Sequence, residues 1–377
     1  MSRTPWRDIS DPRRATTVDD LDEGLKSPEF ENLEIPERLG PVTIGVDDHK
    51  LKRFAFTQDD YTAWSALRAA DGTPTAPAGL LVNDLVQLFT LRYAGSSVIG
   101  LHTEEQLWFD EPLPVGTTVT LDGTYTEAYE RRGQEYVVME AQAVADDGRT
   151  LVRHRGVEIL KTQPGDVAGR GSTGSAPDPA ADPRVTGEVP ADARRITQAP
   201  ADLRAGDVLA PLDKTITFEQ AAVYSRLGEY VTNLHNGLAT ARTAGLRVPI
   251  VQGAQQTCVV AELLTRVFGR RFLSGGWLRV KFLAPVDVFT PISVSGRVTA
   301  VETDDDGTRT ARLEVWIRRA DGRLSGVGWA SSPVTDQADA TAEAGATDPQ
   351  GRARADAGET LVRNPAGHPN QEEDTLV

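Results

Sequence analysis

Apolar positions fall into two stretches of similar layout, flanked and separated by polar sequence rich in Pro and Gly. In the first, Thr57 precedes a helical pattern carried by Asp59, Asp60, Tyr61, Trp64 and Leu67; in the second, Thr217 precedes Glu219, Ala221, Tyr224 and Leu227. Each Thr suits a helix N-cap, with acid in the first turn to complement the helix dipole. Gly79 then opens a strongly apolar helix through Leu80, Leu81, Leu85 and Leu88, and Gly253 opens another through Val259, Val260, Leu263 and Leu264. Alternating runs follow. Strands ending at Phe109 and Phe282, each three residues before a Pro, lead to Val119–Leu121, Tyr136–Met139 and Leu151–Ile159 in the first stretch. Ile292–Val298, Leu313–Ile317 and Val327–Trp329 are their counterparts in the second. Asp147-Gly148 and Asp321-Gly322 suit hairpin turns.

The landmarks keep their spacing. Gly79 to Pro112 is 33 residues and Gly253 to Pro285 is 32; the next Gly follows after 11 in both, at Gly123 and Gly296. The hairpin Gly follows after 25 and 26. Agreement at successive landmarks points to an internal duplication. A long helix followed by an antiparallel meander predicts an α+β fold, with a sheet curled around one helix in each copy. The layout breaks at one place. From Thr57 to Gly79 is 22 residues and from Thr217 to Gly253 is 36, so the second copy is expected to carry 14 extra residues, including Gly228 to Asn236.

Composition divides the 377 residues further. Residues 1–35 and 337–377 lack apolar periodicity, and 164–185 form a Gly/Ser/Pro/Asp linker, so the expected folded units are 36–163 and 186–336. Forty Lys and Arg against 55 Asp and Glu give a net charge of −15, which argues against nucleic acid and anionic membrane surfaces as partners. Cys258 is the single cysteine, which excludes an internal disulfide, and no zinc-ligand spacing is present. The first residues lack the apolar run of a secretory signal, so a cytoplasmic location is expected.

The detour in the second copy supplies the candidate chemistry. It holds Gly228-Glu229-Tyr230 and Asn233-Leu234-His235, followed by Pro249-Ile250-Val251-Gln252-Gly253 at the helix start. His235 can act as a base near neutral pH, and Gly253 offers helix-start N–H groups without a side chain in the way. Cys258 reads as a core residue. His49, His102 and His154 read as structural or surface, and Arg270, Arg271, Arg279 and Lys281 as a solvated basic face.

These motifs resemble the MaoC-type, or (R)-specific enoyl-CoA hydratase, branch of the hotdog superfamily. That family carries a helix, then Gly-Asp-x-Asn-Pro-(Leu/Ile)-His, then Pro-Ile-x-His-Gly opening the long helix. The match covers about 210–330, and the duplication extends it to a double hotdog over about 45–330, itself an internal pseudo-dimer. The pattern differs at three points. Glu229 lies six residues before His235 where the family Asp lies five before, at the position of Tyr230. The motif Pro is missing, and Gln252 stands where the family has His.

The resemblance implies a hydro-lyase acting on an enoyl or 3-hydroxyacyl thioester of CoA or carrier protein, with no metal or redox cofactor. It assigns catalysis to His235, Glu229 and Gly253, and substrate binding to Asn233, Tyr230 and Gln252, with Tyr230 an alternative to Glu229. A further homodimer is allowed. A non-catalytic or partner-dependent acyl-CoA-binding subunit, and a natural-product dehydratase or cyclase, are the alternative readings.

Overall fold

The structure, a computed structural model, describes residues 22–61, 67–68, 72–131, 133–160, 182–226, 232–305 and 307–334. The terminal 1–21 and 335–377, most of the linker, and Glu229 with Tyr230 lie outside these.

The first repeat runs β1 (Glu37–Arg38), β2 (Val42–Val46), α1 (Asp48–Gln58), α2 (Val82–Val86), β3 (Leu101–Phe109), β4 (Thr117–Arg131), β5 (Gln134–Ala145) and β6 (Thr150–Ile159). The second runs β7 (Arg195–Ile196), β8 (Val208–Leu209), β9 (Leu212–Thr215), α3 (Phe218–Tyr224), α4 (Leu238–Thr243), α5 (Gly253–Phe268) and β10 (Gly276–Phe282). It closes with β11 (Pro291–Thr303), β12 (Arg309–Arg319) and β13 (Leu324–Pro333). The strands ending at Phe109 and Phe282 stop where the sequence places their ends. Gly148 and Gly322 occupy the left-handed region, with φ of 85° and 82°, that their tight turns require.

The two half-sheets are continuous. β3 pairs antiparallel with β10, from Gly276 opposite Phe109 to Lys281 opposite Glu104, giving one 13-stranded sheet in the order β1-β4-β5-β6-β3-β10-β13-β12-β11-β8-β7. β2 adds to β4 and β9 to β11. The seam therefore joins the same strand of each repeat. The expectation of two separate sheets is corrected by this pairing.

The helices are less alike than expected. α5 spans 16 residues, nearly all buried, as a central helix should. Its counterpart α2 spans five and continues as a 3-10 turn over Gln87–Leu91. Among the described residues, the second repeat alone holds a long buried helix. Thr217 caps α3 as expected, its hydroxyl accepting from Gln220 N–H while the Gln220 side chain returns to the Thr217 N–H. Thr57 does not cap. It lies in the last turn of α1, its hydroxyl donating to Phe54 O at 2.8 Å, and the cap is Asp47, which accepts from Lys50 N–H. Asp59, left-handed at φ 49°, ends that helix. Counted between equivalent caps, Asp47 to Gly79 is 32 residues against 36 for Thr217 to Gly253, so the repeats differ here by four residues rather than 14.

The repeats interlock through polar groups. The last carbonyls of an α-helix lack i+4 N–H donors within it. Those of α1 receive donors from the other repeat: Gln220 to Phe56 O, Gln255 to Thr57 O, and Lys214 to Gln58 O and Asp59 O. Buried Asp84 on α2 holds Lys50 at 2.6 Å and Arg226 at 2.5 Å. Part of the N-terminal flank is docked as well, with Phe30 and Leu33 against the core and Lys26 paired with Glu37 at 2.9 Å.

Candidate active site at the seam between the repeats

Asn233 builds the loop that carries His235. Its side-chain oxygen accepts from the His235 N–H at 2.9 Å, an Asx turn, while its own N–H donates to Asn236 Oδ1 at 2.7 Å. Its amide also reaches Ser225 Oγ at the end of α3, at 3.3 Å. The loop is then tied to the segment entering α5. Ile250 N–H donates to Leu234 O at 3.1 Å, and the His235 Nδ1 lies 2.7 Å from Ile250 O. A carbonyl can only accept, so Nδ1 carries the hydrogen and Nε2 keeps its lone pair. Burial pushes the imidazole down to about 4; the bond to Ile250 O opposes this and the charge of His102 adds to it. His235 is therefore a neutral imidazole with a free Nε2 at neutral pH.

Gly253 begins α5, and its neighbour Gln252 makes no side-chain cap. The first N–H groups of α5 thus have no acceptor from within the helix or from the cap side chain. Gly253 is tightly enclosed on its Cα side. A Cβ there would lie 2.8 Å from the Phe282 ring and 2.9 Å from His102 Cβ, so packing alone already demands glycine. Gly79 is its mirror, where a Cβ would lie 2.8 Å from Cys258 Sγ. Gly253 and Gly79 thus each pack against the other repeat, although Gly79 does not open its helix as expected but lies in the turn three residues before α2. The loop does the same: Leu234, Ala241, Ala244, Leu246 and Ile250 form a small core with Ile99 and Leu101 at the start of β3.

His235, Asn233, Gln252 and Gly253 are therefore brought to one place, at the seam. Glu229 and Tyr230 lie outside the described residues. The basic residues take no part. Arg279 pairs with Glu104 and Asp182 at 2.8 and 2.9 Å, and Lys281 with Asp182 at 2.5 Å. Arg270 and Arg271 follow the far end of α5, ~24 Å from Gly253 at 1.5 Å per residue. Cys258 is buried, 3.2 Å from Tyr224 Oη, as its core reading expects.

The sequence reading missed a polar cluster on the first repeat. His102 Nε2 lies 2.9 Å from Glu158 Oε1 and 3.8 Å from Glu105 Oε2, and His154 Nε2 lies 3.0 Å from Glu105 Oε1. Burial alone would lower His102, but the Glu158 and Glu105 carboxylates outweigh it and hold the imidazole at about 9. Glu158 is held below its ordinary range: burial would raise it, and the neighbouring imidazoles prevail. The surface reading of His49 holds, whereas His102 and His154 are interior groups beside the seam.

A helix-on-sheet unit duplicated about a shared strand seam, with the loop site at the seam, is the double hotdog architecture. Solved structures share it. A MaoC-like dehydratase superposes with a TM-score of 0.61 at 18% identity, over 81% of this chain and 100% of its own. A structure described as a MaoC domain protein dehydratase, from Chloroflexus aurantiacus, gives 0.58 at 13% identity over 83% and 99%. A Mycobacterium tuberculosis protein described as having a double hotdog fold gives 0.55 at 16% over 82% and 98%. No protein-family model and no curated protein matches the chain. Among the described residues, no helix is long and apolar enough to cross a membrane.

Proposed function

We propose that the protein is an acyl-thioester hydro-lyase, adding or removing water across the 2,3 bond of an enoyl or 3-hydroxyacyl group on CoA or carrier protein. One observation carries the reading. The His235 imidazole is fixed through Nδ1 to the carbonyl of Ile250, three residues before the open N-terminus of α5, which ties the base to the segment that leads into the first N–H groups of that helix.

In the hydration direction His235 Nε2 takes a proton from water as its oxygen bonds to C3. Charge then grows on the thioester oxygen, where the helix-start N–H groups, that of Gly253 first, stabilise it. A second proton carrier delivers hydrogen to C2; this role is assigned to Glu229, with Tyr230 the alternative. Asn233 is a positioning residue, holding the His235 backbone. Gln252 flanks the helix start and lines the approach. The structural likeness to MaoC-like dehydratases supports this assignment, as does the (R) configuration expected from the motif resemblance. A cavity of about 150 Å³ beside α5, with an apolar wall of Phe54, Leu67, Pro77, Ala78 and Cys258 and a polar rim that includes Asp60, Glu262 and Arg266, offers room for part of an acyl chain.

The test is turnover of 2-enoyl-CoA substrates of graded length by the wild type and His235→Ala. A loss of ~10²-fold or more in kcat with a normal fold is expected. Equal turnover by the variant removes His235 from the mechanism. The replacement of the family His by Gln252 favours the second reading, a non-catalytic acyl-thioester-binding subunit. Saturable acyl-CoA binding with no turnover at any chain length selects it.

A further inference from the structure

The cluster of His102, Glu105, His154 and Glu158 is assembled by a local irregularity. β3 and β6 pair antiparallel, with His102 opposite Glu158, Glu105 opposite Gly156 and Leu107 opposite His154. On β6, His154, Gly156 and Glu158 alternate regularly and share one face. On β3, His102 and Glu105 are three residues apart and would point to opposite faces of a regular strand. The register shift between His102 and Glu104 inserts Thr103 as a bulge and turns His102 onto the face of Glu105. Gly156 completes the arrangement. A Cβ there would lie 3.2 Å from His154 Nε2 and 3.5 Å from His102 Nε2, so two imidazole nitrogens converge over a position with no side chain.

The inner half of the group is sealed: Glu105 is 0% and His154 2% exposed, while His102 and Glu158 are half-buried. Beyond the ion-pair contacts they make with one another and with Glu158, neither Glu105 oxygen, neither His154 nitrogen, nor His102 Nε2 has a hydrogen-bond partner. Buried polar atoms are almost always satisfied, so a convergent set of them calls for an explanation, a bound ion among the candidates. One ligand atom from each of His102, Glu105 and His154 can be chosen so that all lie within 4.8 Å of one another. A point within about 2.8 Å of all three therefore exists, and closing to zinc–nitrogen and zinc–oxygen lengths of about 2.0–2.2 Å needs side-chain movements of well under 1 Å. Glu158, the second carboxylate of the cluster, lies 2.9 Å from His102 Nε2, beside the three converging groups rather than among them.

We propose that His102, Glu105 and His154, with Glu158 beside His102, form a binding site for one divalent transition-metal ion, with Zn²⁺ as the fitting probe. Two imidazoles with carboxylates select the zinc class over Mg²⁺ or Ca²⁺, which take all-oxygen ligands. The ion would bridge β3 and β6 directly beneath the start of α5, since His102 Cβ abuts Gly253. Its role is to brace the wall of the seam, and it is independent of the hydro-lyase reading.

The experiment uses the full chain, stripped with a chelator and titrated with Zn²⁺ by calorimetry, with thermal melts in parallel. One equivalent binds, and the melting temperature rises with free Zn²⁺ as expected for a ligand of the folded state. Glu105→Gln and His154→Asn each weaken binding by about 100-fold or more, while His235→Ala keeps wild-type affinity and stoichiometry. That last variant separates this site from the loop imidazole, so failure of either proposal leaves the other standing. Absence of saturable binding to the wild type, no rise in melting temperature, or unchanged binding in the Glu105→Gln His154→Asn double variant overturns the proposal and leaves an internal ion-pair network. Should the variants not fold, wild-type stoichiometry and the four-coordinate or six-coordinate spectrum of bound Co²⁺ decide, a six-coordinate spectrum or no uptake counting against it.

Discussion

His235 titrating near 4 in the folded protein makes a prediction that needs no substrate. An unfolded histidine titrates near 6.5, so on acidification the unfolded chain takes up the proton first. The stability that a neutral, buried His235 contributes is complete above 6.5 and is lost as pH falls towards 4. At pH 4.5 the linkage relation gives a loss of about 2.5 kcal/mol relative to pH 7, an upper figure because the ring is only half-buried. His235→Gln removes this dependence while keeping an amide that can reach Ile250 O. The assay is urea unfolding of both proteins at pH 7 and 4.5. The gap between them should shift by about 1–2.5 kcal/mol, with the wild type losing ground in acid. A gap that is the same at both pH values, or an NMR titration of His235 with its midpoint near 6.5, refutes the claim that burial holds this imidazole neutral.

Two further substitutions probe the site's construction. Gly253→Ala forces a methyl group towards His102 Cβ on one side and the Phe282 ring on the other; overpacking of about 1–3 kcal/mol exceeds the helix-propensity gain of up to ~1 kcal/mol, so thermal or urea unfolding should register a net loss. A variant as stable as the wild type would show that the space is not closed. Asn233→Ala takes away the acceptor for the His235 N–H and should lower kcat by roughly 10-fold at little-changed KM, because it loosens the orientation of the base without touching the substrate; a change in KM alone would make Asn233 a binding residue.

Much of this architecture is legible in the chain. Strand ends at Phe109 and Phe282, the paired hairpin glycines and the Thr217 cap all depend on local chemistry, and local chemistry is what a sequence displays. The first helix shows the limit. Thr57 before two acids has the form of a cap, but Asp47 before Asp48 has it too, and only tertiary contacts from Gln220, Gln255 and Lys214 decide which carbonyls end that helix. Taking Thr57 rather than Asp47 as the cap turns a difference of four residues into 14. The Asn233–His235 turn is legible because its two members lie two residues apart along the chain. The His102 cluster was not, for its members are drawn from two strands whose register is a tertiary property, and one bulged residue decides which face His102 takes. Spacing of three within a strand would have sent it to the opposite side.

The seam between β3 and β10 has a consequence for how the chain could be dissected. Each strand offers its partner an entire row of backbone donors and acceptors, and the pairing is of like with like. A fragment holding only residues of the second repeat would bare that row on β10 and would find its best mate in another copy of itself. Cutting this protein in two would therefore not yield two modest monomers; it would replace a covalent pairing with a concentration-dependent one, in which the packing that Leu101 and His102 give the loop core and Gly253 is exchanged for a duplicate of Lys281 and its neighbours.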